Sequence, residues 1–133
     1  MKTRIKNPFL LPALIAGLGL ILAGRVTAQT FTTLYSFSAT PPYPNNPTNS
    51  DGADPYGRLI LSGNTLYGTS QNGGSSIVGT VFALNTDGTG FTNLHTFTGG
   101  SDGAYPGAGL ILSGNALYGA TGIGGSSYAG NVF

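Results

Sequence analysis

Residues 51–82, DGADPYGRLILSGNTLYGTSQNGGSSIVGTVF, recur as residues 102–133, DGAYPGAGLILSGNALYGATGIGGSSYAGNVF, without a gap and with 20 of 32 positions identical. Such self-similarity confines the chain to architectures that stack one supersecondary element on its copies, because a single copy cannot bury its own apolar faces. A second pair, FTTLYSF at residues 31–37 and FTNLHTF at residues 91–97, is offset by 60 rather than 51 residues. The nine extra residues lie in one connection, where residues 38–50 take the place of residues 98–101. The period is therefore 51 residues, with a proline-rich insertion in the first connection.

Within a period, short apolar runs are cut by glycine and asparagine, and no helical spacing occurs beyond the first 28 residues. Glycine supplies 20 of the 105 residues that follow position 28, which disfavours helix and demands turns. Four strands are expected, over 59–61, 65–69, 80–85 and 91–97. Ser62-Gly63-Asn64 and the Asp-Gly turn at 86–90 are tight connections, while 70–79 is a longer loop. The runs LIL and VFAL are apolar at consecutive positions, so both faces of these strands should be covered. Face-to-face stacks of four-stranded antiparallel meanders meet that demand, and β-propeller blades recur at about this length. A β-solenoid and a sandwich are the alternatives; the unit is long for the first and too regularly repeated for the second. Residues 31–37 read as the last strand of a preceding blade, and the chain stops inside a third strand. It reads as an incomplete ring and the start of a longer protein.

The N-terminus looks like a leader. Lys2, Arg4 and Lys6 precede a 16-residue uncharged apolar run from Phe9 to Gly24, and Val26-Thr27-Ala28 offers a signal-peptidase site before Gln29. The run is short for a membrane span, which needs about 20 apolar residues. The expected organisation is a signal peptide at 1–28 and tandem repeats at 29–133, comprising a full unit at 51–101 and a truncated one at 102–133. Without the leader, Arg58 alone faces Asp51, Asp54, Asp87 and Asp102, a net charge of −3. A nucleic-acid partner needs clustered cations and finds none in this segment. The absence of cysteine excludes disulfides, thiolate metal sites and a cysteine nucleophile, and export without disulfides suits a bacterial envelope.

The string GTVFALNTDGTGFTNLHTFTGGSDGAYPGAGLILSGNALYGAT carries the elements VFALNTDGTGF, SDGAYP and LILSGNxLYG. It resembles the Gloeo_Verruco, or GloVer, tandem repeat of bacterial choice-of-anchor proteins, across essentially residues 31–133. The resemblance implies secretion, many repeats and a separate C-terminal anchoring segment. It brings no catalytic residues with it.

Reactive side chains are few. His95, the single histidine, shares the odd-numbered face of 91–97 with Phe91, Asn93 and Phe97, and reads as a packed or capped structural residue. Asp87 in NTDGTGF is similar to the aspartate-box turns of sialidase-like propellers, but its ordinary reading is a tight turn. It has no acidic neighbours to build a calcium loop. Asp51 and Asp102 open equivalent turns, so they are not a glycosidase pair flanking one bond. The glycines of GGSS precede no lysine and no helix, which excludes a phosphate loop.

The expected function is that of an exported, noncatalytic surface scaffold or binding module with no cofactor. The N-terminal part of a propeller enzyme acting on polysaccharide and a purely structural envelope repeat are the alternatives. Long connections gather at one end of an antiparallel meander, so candidate ligand-facing residues are Tyr43, Asp51, Asp54, Tyr56, Asp102 and Tyr105. The ligand would be a glycan or a protein. Membrane contact would come only through the leader or a C-terminal anchor.

Overall fold

Turn-forming glycines cut the chain into short strands that pair locally. The computed structural model describes residues 29–39 and 48–133. A first unit ends at Phe31, and its described residues 29–31 carry no regular element. The second, Thr32–Phe133, holds every described strand. The expected leader and residue Tyr43 lie outside the described residues.

The described residues form strands and no helix: β1 (Asn49–Ala53), β2 (Ile60–Ser62), β3 (Thr65–Ser70), β4 (Asn72–Gly74), β5 (Thr80–Asn85), β6 (Thr92–Thr96), β7 (Ile111–Ser113) and β8 (Ala116–Tyr118). β2, β3, β5 and β6 make a four-stranded antiparallel meander, β1 pairs with β4, β7 pairs with β8, and none of the three sheets is closed. The described residues are thus all-β, and their sheets are antiparallel. The second repeat copies the first in register: Ile111↔Tyr118 reproduces Ile60↔Tyr67, and the isolated bridges Ala104↔Ile123 and Ala120↔Val132 reproduce Ala53↔Asn72 and Thr69↔Val81.

Side chains alternate across the meander. Ile60, Tyr67 and Val81 share one face, while Leu66, Phe82 and Leu84 share the other. The core sits between repeats: Val81 packs with Phe97 and Leu110, bordered by Ile60, Tyr67, Leu117 and Phe133. Each such aliphatic or aromatic side chain contributes about 1.5–3 kcal/mol when fully buried. Val81, Phe82, Ala83 and Leu84 are all buried, as the unbroken VFAL run requires. The LIL run behaves otherwise. Leu59 and Leu61 are exposed because they flank Ile60 and so point to the face opposite the core that Ile60 and Tyr67 border.

Three further differences from the sequence reading have physical causes. Residues 31–37 carry no strand, because no described residue forms a ladder with them; only Tyr35 and Phe37 of this segment pack, Tyr35 stacked on Phe91 and Phe37 edge-on to Phe82 at 5.3 Å. The connections read as loops contain β1 and β4. The Asn49 side chain organises them, donating to the Gly52 carbonyl at 2.7 Å and accepting from the Gly52 and Gly74 amides, each at 3.1 Å. Finally, the β5–β6 register shifts between Val81↔His95 and Phe82↔Asn93, which leaves Leu94 as the extra residue of a bulge. His95 and Asn93 therefore lie on opposite faces, not on one.

Candidate functional site

Each repeat is fastened to what precedes it by an aspartate. Asp51 Oδ2 accepts hydrogen bonds from the Tyr35 hydroxyl at 2.8 Å and the Ser38 amide at 2.7 Å. Asp102 Oδ2 accepts the Thr98 amide at 2.9 Å and lies 3.2 Å from His95 Nε2, while its Oδ1 accepts the Thr98 hydroxyl. Burial raises the pKa of both carboxyls, but the donors outweigh it. The Ser38 and Tyr35 bonds hold Asp51 below the ordinary 3.8, and Thr98 and His95 do the same for Asp102. Tyr35 is pushed above 10.0 by burial and then by its bond to Asp51. Two of the expected ligand-facing residues are thus engaged in joining repeats. His95 is capped by Asp102 and set edge-on against Phe97 at 4.7 Å.

The long connections do converge at one end. β1–β4 pairing joins the first two, and the Tyr105 amide donates to the Val78 carbonyl at 2.8 Å, which brings in the third. Asp54 sits here, its Oδ2 accepting from Asn72 Nδ2 at 2.8 Å and its carbonyl accepting the Gln71 amide at 3.0 Å. Tyr105 is its counterpart, with its carbonyl accepting the Gly122 amide at 3.2 Å. Both residues adopt positive φ, 56° and 57°, a conformation costing a non-glycine residue about 1–2 kcal/mol. Tyr56, beside them, is 72% exposed.

Sequence reasoning missed two residues of this end. Ile77 and Tyr128 are again counterparts at positive φ, 65° and 55°, each closing a turn whose amide donates to Gly74 or Gly125 at 3.2 Å. The available signal was the GGSSxxG stretch, in which a bulky residue is confined between glycines. Tyr128 is 79% exposed and walls a cleft of about 240 Å³ together with Ser101, Ser126 and the backbone of Gly100 and Gly125. Hydroxyls, peptide groups and one aromatic face suit a polar ring compound. Asp87 lies apart, closing the opposite, tight-turn end; its carboxylate accepts the Thr89 amide at 2.9 Å and the Thr89 hydroxyl at 2.6 Å. Among the described residues no cluster of three or more His, Cys, Asp or Glu side chains could hold a metal ion.

Antiparallel sheets repeated at a fixed period, with a core shared between the repeats, define the class, an all-β tandem-repeat protein. The chain belongs to the Gloeobacter/Verrucomicrobia repeat family, whose sequence profile matches residues 19–133. No curated protein and no solved structure matches it.

Proposed function

We propose that the chain is an exported, noncatalytic surface scaffold whose repeats act as propeller-like blades and whose loop end binds a glycan or a protein. Attachment to the cell surface would follow from an anchoring segment of the kind the choice-of-anchor resemblance implies. One observation carries the binding reading. Four non-glycine residues at positive φ, Asp54, Ile77, Tyr105 and Tyr128, all lie at the loop end, where exposed Tyr56 and Tyr128 stand on a frame of paired strands. Strained backbone retained on a rigid support is characteristic of binding surfaces. Exposed tyrosines supply aromatic area at small entropic cost, and flanking serines supply hydrogen bonds.

Retention of the chain on insoluble cell-wall polysaccharide and on whole envelope fractions tests this. Tyr56→Ala combined with Tyr128→Ala should abolish retention while shifting the melting temperature by no more than a degree or two. Unchanged retention would leave the purely structural repeat as the better reading.

A further inference from the structure

Both repeats place a strained residue directly before proline. Asp54 precedes Pro55 and Tyr105 precedes Pro106, at φ of 56° and 57°, far from the extended backbone that a residue before proline prefers. Their carbonyls are held alike. The Asp54 oxygen accepts the Tyr56 and Gln71 amides, each at 3.0 Å, and the Tyr105 oxygen accepts the equivalent pair, Gly107 at 2.9 Å and Gly122 at 3.2 Å. Two N–H donors converging on one carbonyl oxygen stabilise the negative charge that develops there when the carbon is attacked.

The side chains differ. Asp54 brings a carboxyl to this activated carbonyl and is exposed to water, with its Oδ2 accepting from Asn72 Nδ2 at 2.8 Å. Tyr105 offers no nucleophile to its own carbonyl, and Ile123 stands where Asn72 does in the first repeat. Proline completes the set. Its nitrogen belongs to a tertiary amide, which accepts a proton more readily than an ordinary peptide nitrogen and so leaves more easily.

We propose that the Asp54–Pro55 bond is a self-cleavage site. Oδ1 of the Asp54 carboxylic acid attacks the carbon of its own carbonyl, and the C–N bond to Pro55 breaks as the carboxyl proton passes to the proline nitrogen. The product is a cyclic anhydride at Asp54. Water opens it, leaving Asp54 as a new C-terminus and Pro55 as a new N-terminal secondary amine. The Tyr56 and Gln71 amides hold the oxyanion, Asn72 orients the carboxyl, and scission releases Asp54 from its strained φ. Each chain reacts once, and no ligand at the loop end is required. The N-terminal piece stays docked, because Asn49 Oδ1 still accepts the Gly74 amide at 3.1 Å, the Ser50 carbonyl still accepts Asn93 Nδ2 at 2.9 Å, and Tyr35 still stacks on Phe91. The pieces therefore part only when the fold is opened.

Intact mass under denaturing conditions, measured on the full chain after incubation in mildly acidic buffer that leaves it folded, should show one piece ending at Asp54 and another starting at Pro55. The rate should be independent of protein concentration. It should exceed the rate in urea at the same pH by about tenfold or more, the factor that relief of such strain is worth. Asp54→Asn, which keeps a residue tolerant of positive φ, should melt like the parent and remain whole. Asn72→Ile, which copies the second repeat, should slow the cut severalfold without moving it. A folded chain that stays intact, cleavage at least as fast in urea, a rate that rises with protein concentration as a trace protease would give, a cut that survives Asp54→Asn, or a rate unchanged by Asn72→Ile would each overturn the proposal.

Discussion

Tyr35 and Asp51 meet through a hydroxyl-to-carboxylate hydrogen bond of 2.8 Å. The equivalent contact in the next repeat joins His95 to Asp102 at 3.2 Å. One device thus operates twice with different donors, and the two differ in burial.

Asp51 is 4% exposed, so removing its carboxylate opens a void at a buried position and takes the acceptor from the half-buried Tyr35 hydroxyl and from the Ser38 amide. Asp51→Ala should cost about 2–3 kcal/mol, since hydrogen bonds to charged groups contribute about 1.5–3 kcal/mol each. Asp102→Ala should cost about 1 kcal/mol, because its partner His95 is half exposed and water replaces the lost bonds. Urea denaturation of the two variants checks the order.

Stability should fall on acidification. The pKa values of Asp51 and Asp102 are lowered in the folded state, so the unfolded chain binds more protons as the pH drops. Their contribution is fully present above the ordinary carboxylate value of 3.8 and disappears as pH falls through the folded-state values below it. Tyr35 works in the opposite sense: its contribution is present below 10.0 and is lost as pH rises through its raised value. Melting temperature against pH should show a plateau with an acid and an alkaline shoulder, and Asp51→Asn should reduce both.

His95→Tyr restores in the second repeat the donor that the first one uses. It should leave stability within about 0.5 kcal/mol of the parent, as expected of an exposed substitution with a satisfied partner. A calorimetric melt decides this, and a loss of 2 kcal/mol or more would show that the two staples are not interchangeable.

Gly68→Ala should be more harmful than Gly63→Ala, although only Gly63 has positive φ. A methyl at Gly68 would lie 2.6 Å from both Leu59 Cδ2 and Phe82 Cζ; exposed Leu59 can move, whereas Phe82 is buried among other rings. Overpacking of this kind costs about 1–3 kcal/mol. At Gly63, with φ of 57° and open space around it, the cost is conformational alone, about 1 kcal/mol. Chemical denaturation of both variants gives the comparison.

The meander was readable in the sequence because β3 and β5 combine β-branched and aromatic residues with glycine turns at both ends. The expected span 80–85 coincides with β5, and the expected span 65–69 falls one residue short of β3. β1 and β4 were not readable, since Asn49-Ser50-Asp51-Gly52-Ala53 and Asn72-Gly73-Gly74 are turn formers whose pairing depends on the Asn49 side chain. The staples were hidden for another reason. Donor and acceptor lie 7 residues apart in one copy and 16 in the other, so aligning either segment of the repeat alone does not superpose them. At the loop end Asp54, Tyr56 and Tyr105 were placed by the topology, whereas the GGSSxxG stretch signals a turn without assigning positive φ to a residue as bulky as Ile77 or Tyr128.

Those unequal separations also bear on what the chain can carry. The Ser38 amide and Asp51 carboxylate pin together the two ends of the insertion at 2.7 Å. Lengthening a closed loop from 7 to 16 residues costs only about 0.7 kcal/mol in closure entropy. The connection is therefore a natural splice port, where foreign peptide of similar length could be displayed without retuning the scaffold around it.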